Sequence, residues 1–371
     1  MIIGIDGNEA NVREKVGVSV YTLKLLEYFQ RHARKDLRFI VYLKKLPNVD
    51  LPDENENYRY KVVPGPFLWS QLFLPLELMK NMITPDRIGV FFSPAHYAPR
   101  LAPCPTVVTV HDVAFIHFPE EFLSKDLYQL KNWTRYSIRK AKKIISVSKA
   151  TKKDVVSSYG IPEEKIEVIY NGFEKNVEVE EAVAPNPKID PPYVLYVGTI
   201  QPRKNIVTLI RAFKLINNIH PEYKLVITGK KGWLFDKIFK EARDLYLSNK
   251  IVFTGYVSDE ELVYLYKHAF CFVLPSLYEG FGIPLLEAMS FSAPVISSFS
   301  SSLPEVGGEA ALYFDPQDYK DLSHKLEILH TDRGLRTELI SKGSKRIRQF
   351  SWDSCAKKTL EVLIRTSHEK G

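Results

Sequence analysis

Two carboxylates with seven residues between them, Glu279 and Glu287, bracket the run Gly280-Phe281-Gly282-Ile283-Pro284. Glycines there permit a tight loop and let a ligand approach the backbone closely. Pro284 suits the first turn of a helix, where its missing N–H costs nothing. A helix starting after such a loop offers unpaired N–H groups and a positive dipole end to an anion such as a phosphate. Glu279 falls in the loop, where it can accept hydrogen bonds from sugar hydroxyls. Glu287 falls in the first helical turn, where it can hold a vicinal diol such as a ribose. The same residues also fit a capped helix whose acids merely compensate the dipole, and local chemistry does not separate the two readings.

Other polar groups follow short apolar runs. Gly198-Thr199-Ile200-Gln201-Pro202-Arg203-Lys204-Asn205 carries an adjacent Arg and Lys, a planar fork and a point charge that together can hold a diphosphate. A solvated Arg-Lys pair is the plainer alternative. Lys230 and Lys231 sit comparably after Thr228-Gly229. Earlier in the chain, an apolar run ends directly in His111-Asp112, a second leads to Ser93-Pro94-Ala95-His96-Tyr97, and a third to Asp6-Gly7-Asn8. Gly17-Val18-Ser19 opens a helical pattern and reads as a further phosphate cradle.

Strands must place these loops. Apolar runs rich in β-branched residues occur at 2–5, 39–43, 60–63, 88–92, 106–110, 143–147 and 166–170, with helical patterns such as 18–31 and 124–141 between them. Most lack strict alternation, as expected of strands buried on both faces. An acidic stretch at 178–181 and prolines at 185, 187, 191 and 192 mark a boundary. The pattern then restarts, with strands at 193–197, 224–228, 251–254, 270–274 and 294–297 and helices at 206–219, 234–247, 259–268, 284–290 and 322–329. Alternating strand and helix implies parallel sheets with right-handed crossovers, hence two doubly wound α/β domains. Ligands in such sheets bind beyond the carboxyl ends of the strands, where the polar loops fall.

Composition agrees. The 371 residues suffice for two domains, and 45% hydrophobic with 26% charged residues excludes a disordered or fibrous chain. No run of 18 apolar residues occurs, so no segment is expected to span a membrane. The first residues, Met1-Ile2-Ile3-Gly4-Ile5-Asp6, read as a strand rather than a signal peptide. Cys104, Cys271 and Cys355 form no Cys-x-x-Cys pair, which argues against a disulfide framework or cysteine zinc site and for a reducing cytoplasm. The net charge of +7 is uneven: +7 over residues 1–150, −4 over 151–190 and +4 beyond. No acid occurs from 127 to 153, and Lys131, Arg135 and Arg139 share one helical face. That face is either simply solvated or an anionic-membrane contact; nucleic acid is the weaker option because no recognisable binding module accompanies it. The apolar stretch 67–79 is too short to span a bilayer and reads as core, with an acceptor groove or membrane-facing ridge as the alternative.

Taken together, these motifs resemble the family 4 retaining glycosyltransferases. Glu279 and Glu287 match the family's E-x7-E signature, 198–205 its phosphate loop, Val168-Ile169-Tyr170-Asn171-Gly172 its hinge strand, and Phe253-Thr254-Gly255-Tyr256-Val257-Ser258 the strand and loop beside the nucleotide base. Leu303-Pro304-Glu305-Val306 falls where the family usually has it, and His111-Asp112 resembles members that build bacterial surface polysaccharides. The resemblance implies the GT-B fold, two Rossmann-like domains facing a deep cleft. The acceptor domain would comprise 1–170 plus 353–371, and the donor domain 171–352. It implies that Glu279 and the backbone of Gly280, Phe281 and Gly282 hold the donor sugar, and Glu287 the ribose. Arg203, Lys204 and Gly198 would hold the diphosphate, Val257 would lie beside the base, Gly17 would approach the phosphates, and His111 would sit at the transferred sugar. The last helix, after Phe350-Ser351-Trp352-Asp353, would return to the first domain. Three positions depart from the family: Thr199 where many members have Arg, Val16-Gly17 where a Gly-Gly pair is usual, and Ser292 where glycine is common. The implied reaction is hexosyl transfer, mannosyl first, from GDP-mannose or a UDP-sugar to a glycan or polyprenyl-linked acceptor. No cofactor or metal is expected, in keeping with the lack of any Asp-x-Asp, and the place of action is the cytoplasm, at the inner face of the cell membrane. A GT-B epimerase, a glycoside hydrolase and a nucleic-acid-binding protein are the alternatives.

Overall fold

The computed structural model describes residues 1–65, 68–83, 87–175, 182–185 and 188–369. The acidic stretch 178–181 and the prolyl residue 187, both part of the expected boundary, lie outside them, as does Phe67 at the start of the apolar stretch. Two compact units form. One comprises Met1–His117, Leu123–Gly172 and Phe350–Gly371; the other comprises Phe118–Phe122 and Phe173–Gln349. The five residues Phe118–Phe122 join the second unit although a division by sequence puts them in the first. Their side chains explain it: the Phe118 ring lies 6.3 Å from that of Tyr278, and Glu121 reaches Arg203.

The first unit runs β1 (Ile2–Asp6), α1 (Gly17–Arg31), β2 (Arg38–Leu43), β3 (Tyr58–Val62), a π-helical turn (Trp69–Phe73), α2 (Leu74–Asn81), β4 (Val90–Ser93), β5 (Thr106–Val110), α3 (Ala114–His117), α4 (Ser124–Lys140), β6 (Lys143–Ser146), α5 (Lys149–Tyr159) and β7 (Ile166–Val168). Its seven strands are parallel in the order β3-β2-β1-β4-β5-β6-β7. Every residue of β4 and β5 is buried, which explains why these runs are apolar without alternation. On one face α1 buries Tyr21, Leu25, Leu26 and Phe29, spaced three and four apart, against Ile3, Ile5 and Val41. The same core takes Cys355, Ala356, Leu360 and Leu363 from the last helix (Trp352–His368), whose Ser351 cap accepts the Ser354 N–H. On the other face, Trp69, Leu74 and Leu78 pack on Ile40, Tyr42 and Phe91, and the Trp69 Nε1–H donates to the Val63 carbonyl at 2.7 Å.

The second unit runs β8 (Tyr193–Val197), α6 (Ile206–Ile219), β9 (Lys224–Thr228), α7 (Asp236–Asp244), β10 (Ile251–Gly255), α8 (Asp259–His268), β11 (Cys271–Leu274), α9 (Ile283–Ser290), β12 (Val295–Ser298), α10 (Leu303–Gly307), β13 (Ala311–Phe314), α11 (Tyr319–Thr331) and α12 (Arg333–Arg346); the returning helix is α13. Its strands are parallel in the order β10-β9-β8-β11-β12-β13. In α6, Ile206, Leu209, Ile210, Phe213 and Ile216 make the buried stripe that the sequence shows. In α8, Ser258 and Glu261 close a reciprocal capping box. Helix α7 is shorter than the expected 234–247, because Leu234 and Tyr246 adopt left-handed backbone at its ends.

In both sheets the chain winds outward in one direction from the first strand, then crosses back to start the other half. The order therefore reverses between β1 and β4 and again between β8 and β11. At such a switch point the loops beyond the strand ends diverge and leave room for a ligand.

Candidate active site

In the second unit the switch point is built from the loops 198–205, after β8, and 275–282, after β11. Asn205 ties them together. Its backbone is left-handed (φ 56°), its Nδ2 donates to the carbonyls of Pro275 (3.1 Å) and Pro316 (2.8 Å), and its Oδ1 accepts the Thr208 hydroxyl at 2.8 Å. The Leu277 N–H also donates to the Arg203 carbonyl at 2.9 Å. The second loop then turns into α9 through Gly282, whose φ of 104° disfavours any other residue. A Cβ there would also stand 2.7 Å from Leu303.

The expected charges meet here. Lys204 Nζ donates to Glu279 Oε1 at 2.6 Å, and Ser276 Oγ donates to the same oxygen at 2.7 Å. Arg203 Nη1 donates to the Tyr278 carbonyl at 2.7 Å and lies 3.9 Å from Glu279 Oε2. Burial pushes the Glu279 carboxyl up, but Lys204 and Arg203 more than offset this and hold it below the ordinary carboxylate range. Glu287 is the fifth residue of α9, so it opens the second turn rather than lying in the first. Burial raises its pKa while the Tyr266 hydroxyl, donating at 3.0 Å, opposes the rise. Gly198 follows β8, and half-buried Val257 follows β10 at the same sheet edge. Lys230 lies 5.0 Å over the Tyr256 ring, and Lys231 is 5.1 Å from the rings of both Phe235 and Phe239, so these lysines face aromatic rings.

Three sets of residues escape a reading by motif. Ser301 and Ser302 hold the loop backbone: the Ser301 hydroxyl accepts the Glu279 N–H at 2.8 Å, and the Ser302 hydroxyl lies 2.8 and 2.9 Å from the carbonyls of Glu279 and Phe281. Their only trace in the sequence is the serine run 300–302 before Leu303. Tyr266, from α8, reaches Glu287 across the fold with no motif to mark it. Glu121 arrives from residues far upstream. Its carboxylate is buried 3.8 Å from Arg203 Nε and accepts the Arg203 backbone N–H, while Nε itself is buried without a hydrogen-bond partner. Burial raises the Glu121 pKa and Arg203 opposes the rise.

In the first unit His111 follows β5 and is buried. Its Nε2 lies 2.8 Å from the Pro94 carbonyl, and the Tyr21 ring stands edge-on at 4.8 Å. Burial, reinforced by His96, pushes its pKa down to about 4, so the ring is neutral near neutral pH and carries its proton on Nε2, toward the carbonyl. Burial likewise lowers His96, whose ring lies 6.0 Å from that of His111, and raises Asp6, the last residue of β1, to about 6. Gly17 is the first residue of α1, behind a Val16 N-cap that offers no side-chain acceptor. Among the described residues, no group of three or more His, Cys, Asp or Glu side chains is arranged to hold a metal ion, and no helix is long and apolar enough to cross a membrane.

Known proteins supply the remaining evidence. Residues 16–176 match the family model described as Glycosyltransferase Family 4, and residues 178–346 match that of the glycosyl transferases group 1. O-antigen chain mannosyltransferase B of Escherichia coli is 33% identical over 282 residues, 74% of this chain and 73% of its own length. O-antigen chain mannosyltransferase RfbU of Salmonella typhimurium is 33% identical over 213 residues, 57% of each chain. The crystal structure of HepE from Anabaena in complex with UDP and glucose superposes with a TM-score of 0.70 at 19% identity, over 98% of this chain and 99% of that one. At that identity the superposition speaks for the fold alone, the two-domain GT-B architecture. Paired carboxylates around a glycine loop, an Arg-Lys pair at the same switch point, and relatives spanning both units lead to one conclusion: this chain is a glycosyltransferase and belongs to family 4.

Proposed function

We propose that the protein transfers a hexosyl unit, mannosyl first, from a nucleoside-diphosphate sugar to a hydroxyl of a glycan or polyprenyl-linked acceptor, with retention and without a metal. The observation that carries this is the cluster of Arg203, Lys204 and Glu279 at the β8/β11 switch point. The names of the E. coli and Salmonella relatives support the mannosyl choice and hence GDP-mannose, with UDP-sugars as the alternative donors.

The leaving group gains negative charge as the bond to the sugar breaks, and fixed cations in a water-poor site are the effective way to stabilise it. Arg203 presents a buried Nε–H without a hydrogen-bond partner, Lys204 adds a point charge, and together they supply the positive charge a metal would otherwise bring. The anomeric carbon–phosphate oxygen bond breaks and a bond to the acceptor oxygen forms on the same face; the acceptor proton passes to the departing phosphate. Glu279 binds sugar hydroxyls rather than attacking, since its carboxylate is committed to Lys204 and Ser276. Glu287, oriented by Tyr266, holds the ribose, and neutral His111 is assigned to the transferred sugar. A polyprenyl-linked acceptor would place the reaction at the inner face of the cell membrane, with the protein in the cytoplasm.

Thermal-shift titration with GDP, UDP and ADP tests the donor, because a ligand that binds only the native state raises the melting temperature with its concentration. A shift with GDP alone is the expected result; none with any nucleotide would overturn the reading. Product NMR from GDP-mannose with a chelator present reads retention and metal independence together. Sugar-nucleotide conversion without an acceptor would instead identify an epimerase.

A further inference from the structure

The helical segment from Leu68 to Ile83 is apolar on two faces. One face, with Trp69, Leu74 and Leu78, is buried in the first unit's core. The other carries Leu68, Leu72, Leu76, Met79 and Ile83, spaced four, four, three and four apart and 41, 50, 50, 42 and 91% exposed. A surface helix ordinarily turns polar residues outward, so five large apolar side chains in one stripe form a patch that needs a partner.

The neighbourhood narrows the choice. The Arg100 N–H donates to the Ser70 carbonyl at 3.2 Å, and the next N–H, of Leu101, donates to the Tyr136 hydroxyl at 3.1 Å. The Arg100 guanidinium lies 5.2 Å over the Tyr136 ring, and Leu101 is 74% exposed. The apolar stripe is therefore joined through residues 100 and 101 to α4. That helix exposes Tyr128, Lys131, Arg135 and Arg139 within a stretch, 127 to 153, that contains no acid. Three other cations in that stretch are matched: Lys142 lies 3.5 Å from Glu369, Lys152 lies 3.9 Å from Glu163, and Lys143 donates to the Glu164 carbonyl at 3.1 Å.

A nucleic acid would use the cations and leave the leucines in water. A second copy docked by two-fold symmetry could cover the leucines but would bring two strongly basic helices toward each other. An anionic bilayer satisfies both features, since apolar side chains enter the acyl boundary while cations lie among the headgroups. We propose that this face docks the protein on an anionic lipid bilayer, with Leu72, Leu76 and Met79 inserted and Lys131, Arg135 and Arg139 over the headgroups. The inference stands on the first unit alone, and its test uses no sugar nucleotide, so it can fail while the donor reading holds.

The test is flotation of the full chain with phosphatidylglycerol–phosphatidylethanolamine vesicles and with phosphatidylcholine vesicles. Wild type should float with the first and remain largely free with the second. The triple variant Leu72→Ser, Leu76→Ser, Met79→Ser should bind the anionic vesicles roughly tenfold or more weakly. The variant Lys131→Gln, Arg135→Gln, Arg139→Gln should lose roughly fivefold for each cation removed, and its preference for anionic lipid with it. Both sets are surface residues, and an unchanged melting temperature will show the fold intact; if it is not, Leu76→Trp replaces the triple variant. A blue shift of the added fluorescence over wild type when vesicles are added then supports insertion, and no shift opposes it. Equal flotation on both vesicle types, or a ridge variant that binds like wild type, overturns the proposal. So does a dimer in sedimentation that the ridge variant abolishes, which would assign the stripe to a second copy. RNA binding lost only in the charge variant, without flotation of wild type, would assign the face to a polyanion.

Discussion

The two switch points share a winding order and treat charge in opposite ways. Between β8 and β11, Glu279 is held ionised by Lys204 and Arg203 against its own burial. Between β1 and β4, and on neighbouring β5, burial wins: His111 is pushed down to about 4, His96 is lowered, and Asp6 is pushed up to about 6. One end is a set of matched charges, which under the proposed function an incoming diphosphate takes over. The other holds two histidines kept neutral beside a carboxylate that burial makes easier to protonate, a set suited to meeting hydroxyls. The same backbone topology supports either, because the strand ends fix positions while the loop residues and their burial fix the charge.

The largest test of this contrast is Lys204→Ala. Turnover should fall by about 10²–10³-fold, the cost of removing one preorganised charge-stabilising donor, with the fold intact by circular dichroism. Wild-type rates in a folded variant would sink the diphosphate assignment.

Next comes pH. The folded His111 ring refuses a proton down to about pH 4, whereas an unfolded histidine takes one below about 6.5. The unfolded state therefore binds more protons in that window, and this residue's contribution is lost as pH falls from 6.5 to 4. Asp6 works the other way, since its raised folded pKa lets acidification between 6 and 3.8 favour folding. Replacing His111 with Asn should remove acid destabilisation of roughly 3 kcal/mol at the low end of the window, read as a flatter melting temperature against pH. An unchanged slope would show that the first switch point does not hold its histidine neutral.

Glu121→Gln sharpens the second site. It removes a carboxylate charge 3.8 Å from Arg203 Nε while keeping an acceptor for the Arg203 N–H, so a nucleoside diphosphate should bind roughly tenfold more tightly by calorimetry. Weaker binding would mean that Glu121 positions Arg203 more than it competes for it. Smallest of all, Tyr266→Phe deletes the hydrogen bond to Glu287 and should raise the donor KM about fivefold with kcat little changed. A fall in kcat alone would place Glu287 at the chemistry instead of the ribose.

Much of this was readable from one sequence because the relevant signals are local. β-Branched runs at 106–110 and 193–197 become fully or mostly buried strands, and the carboxyl-end rule then puts His111, Arg203, Lys204 and Glu279 at strand ends. What stayed hidden has non-local or weak signals. Helix α12 buries little beyond Leu339 and Gly343, so no apolar stripe announces it, and β13 is a four-residue edge strand. The outer face of 68–83 looked like core because hydrophobicity does not say which side is covered. Glu121, Tyr266 and Ser302 act on residues 21 to 82 positions away, and only folding reveals such pairs.

Helix α13 has a consequence for synthesis. Its Leu360 and Leu363 complete a core whose other parts, Ile3, Tyr21 and Val41, leave the ribosome some 300 residues earlier. The second unit needs nothing after Gln349. During translation the second unit can therefore close first, while the half made first waits, with one sheet face covered by α1 but not by α13, until the last helix emerges. Trimming that helix would strip the beginning of the protein rather than its end.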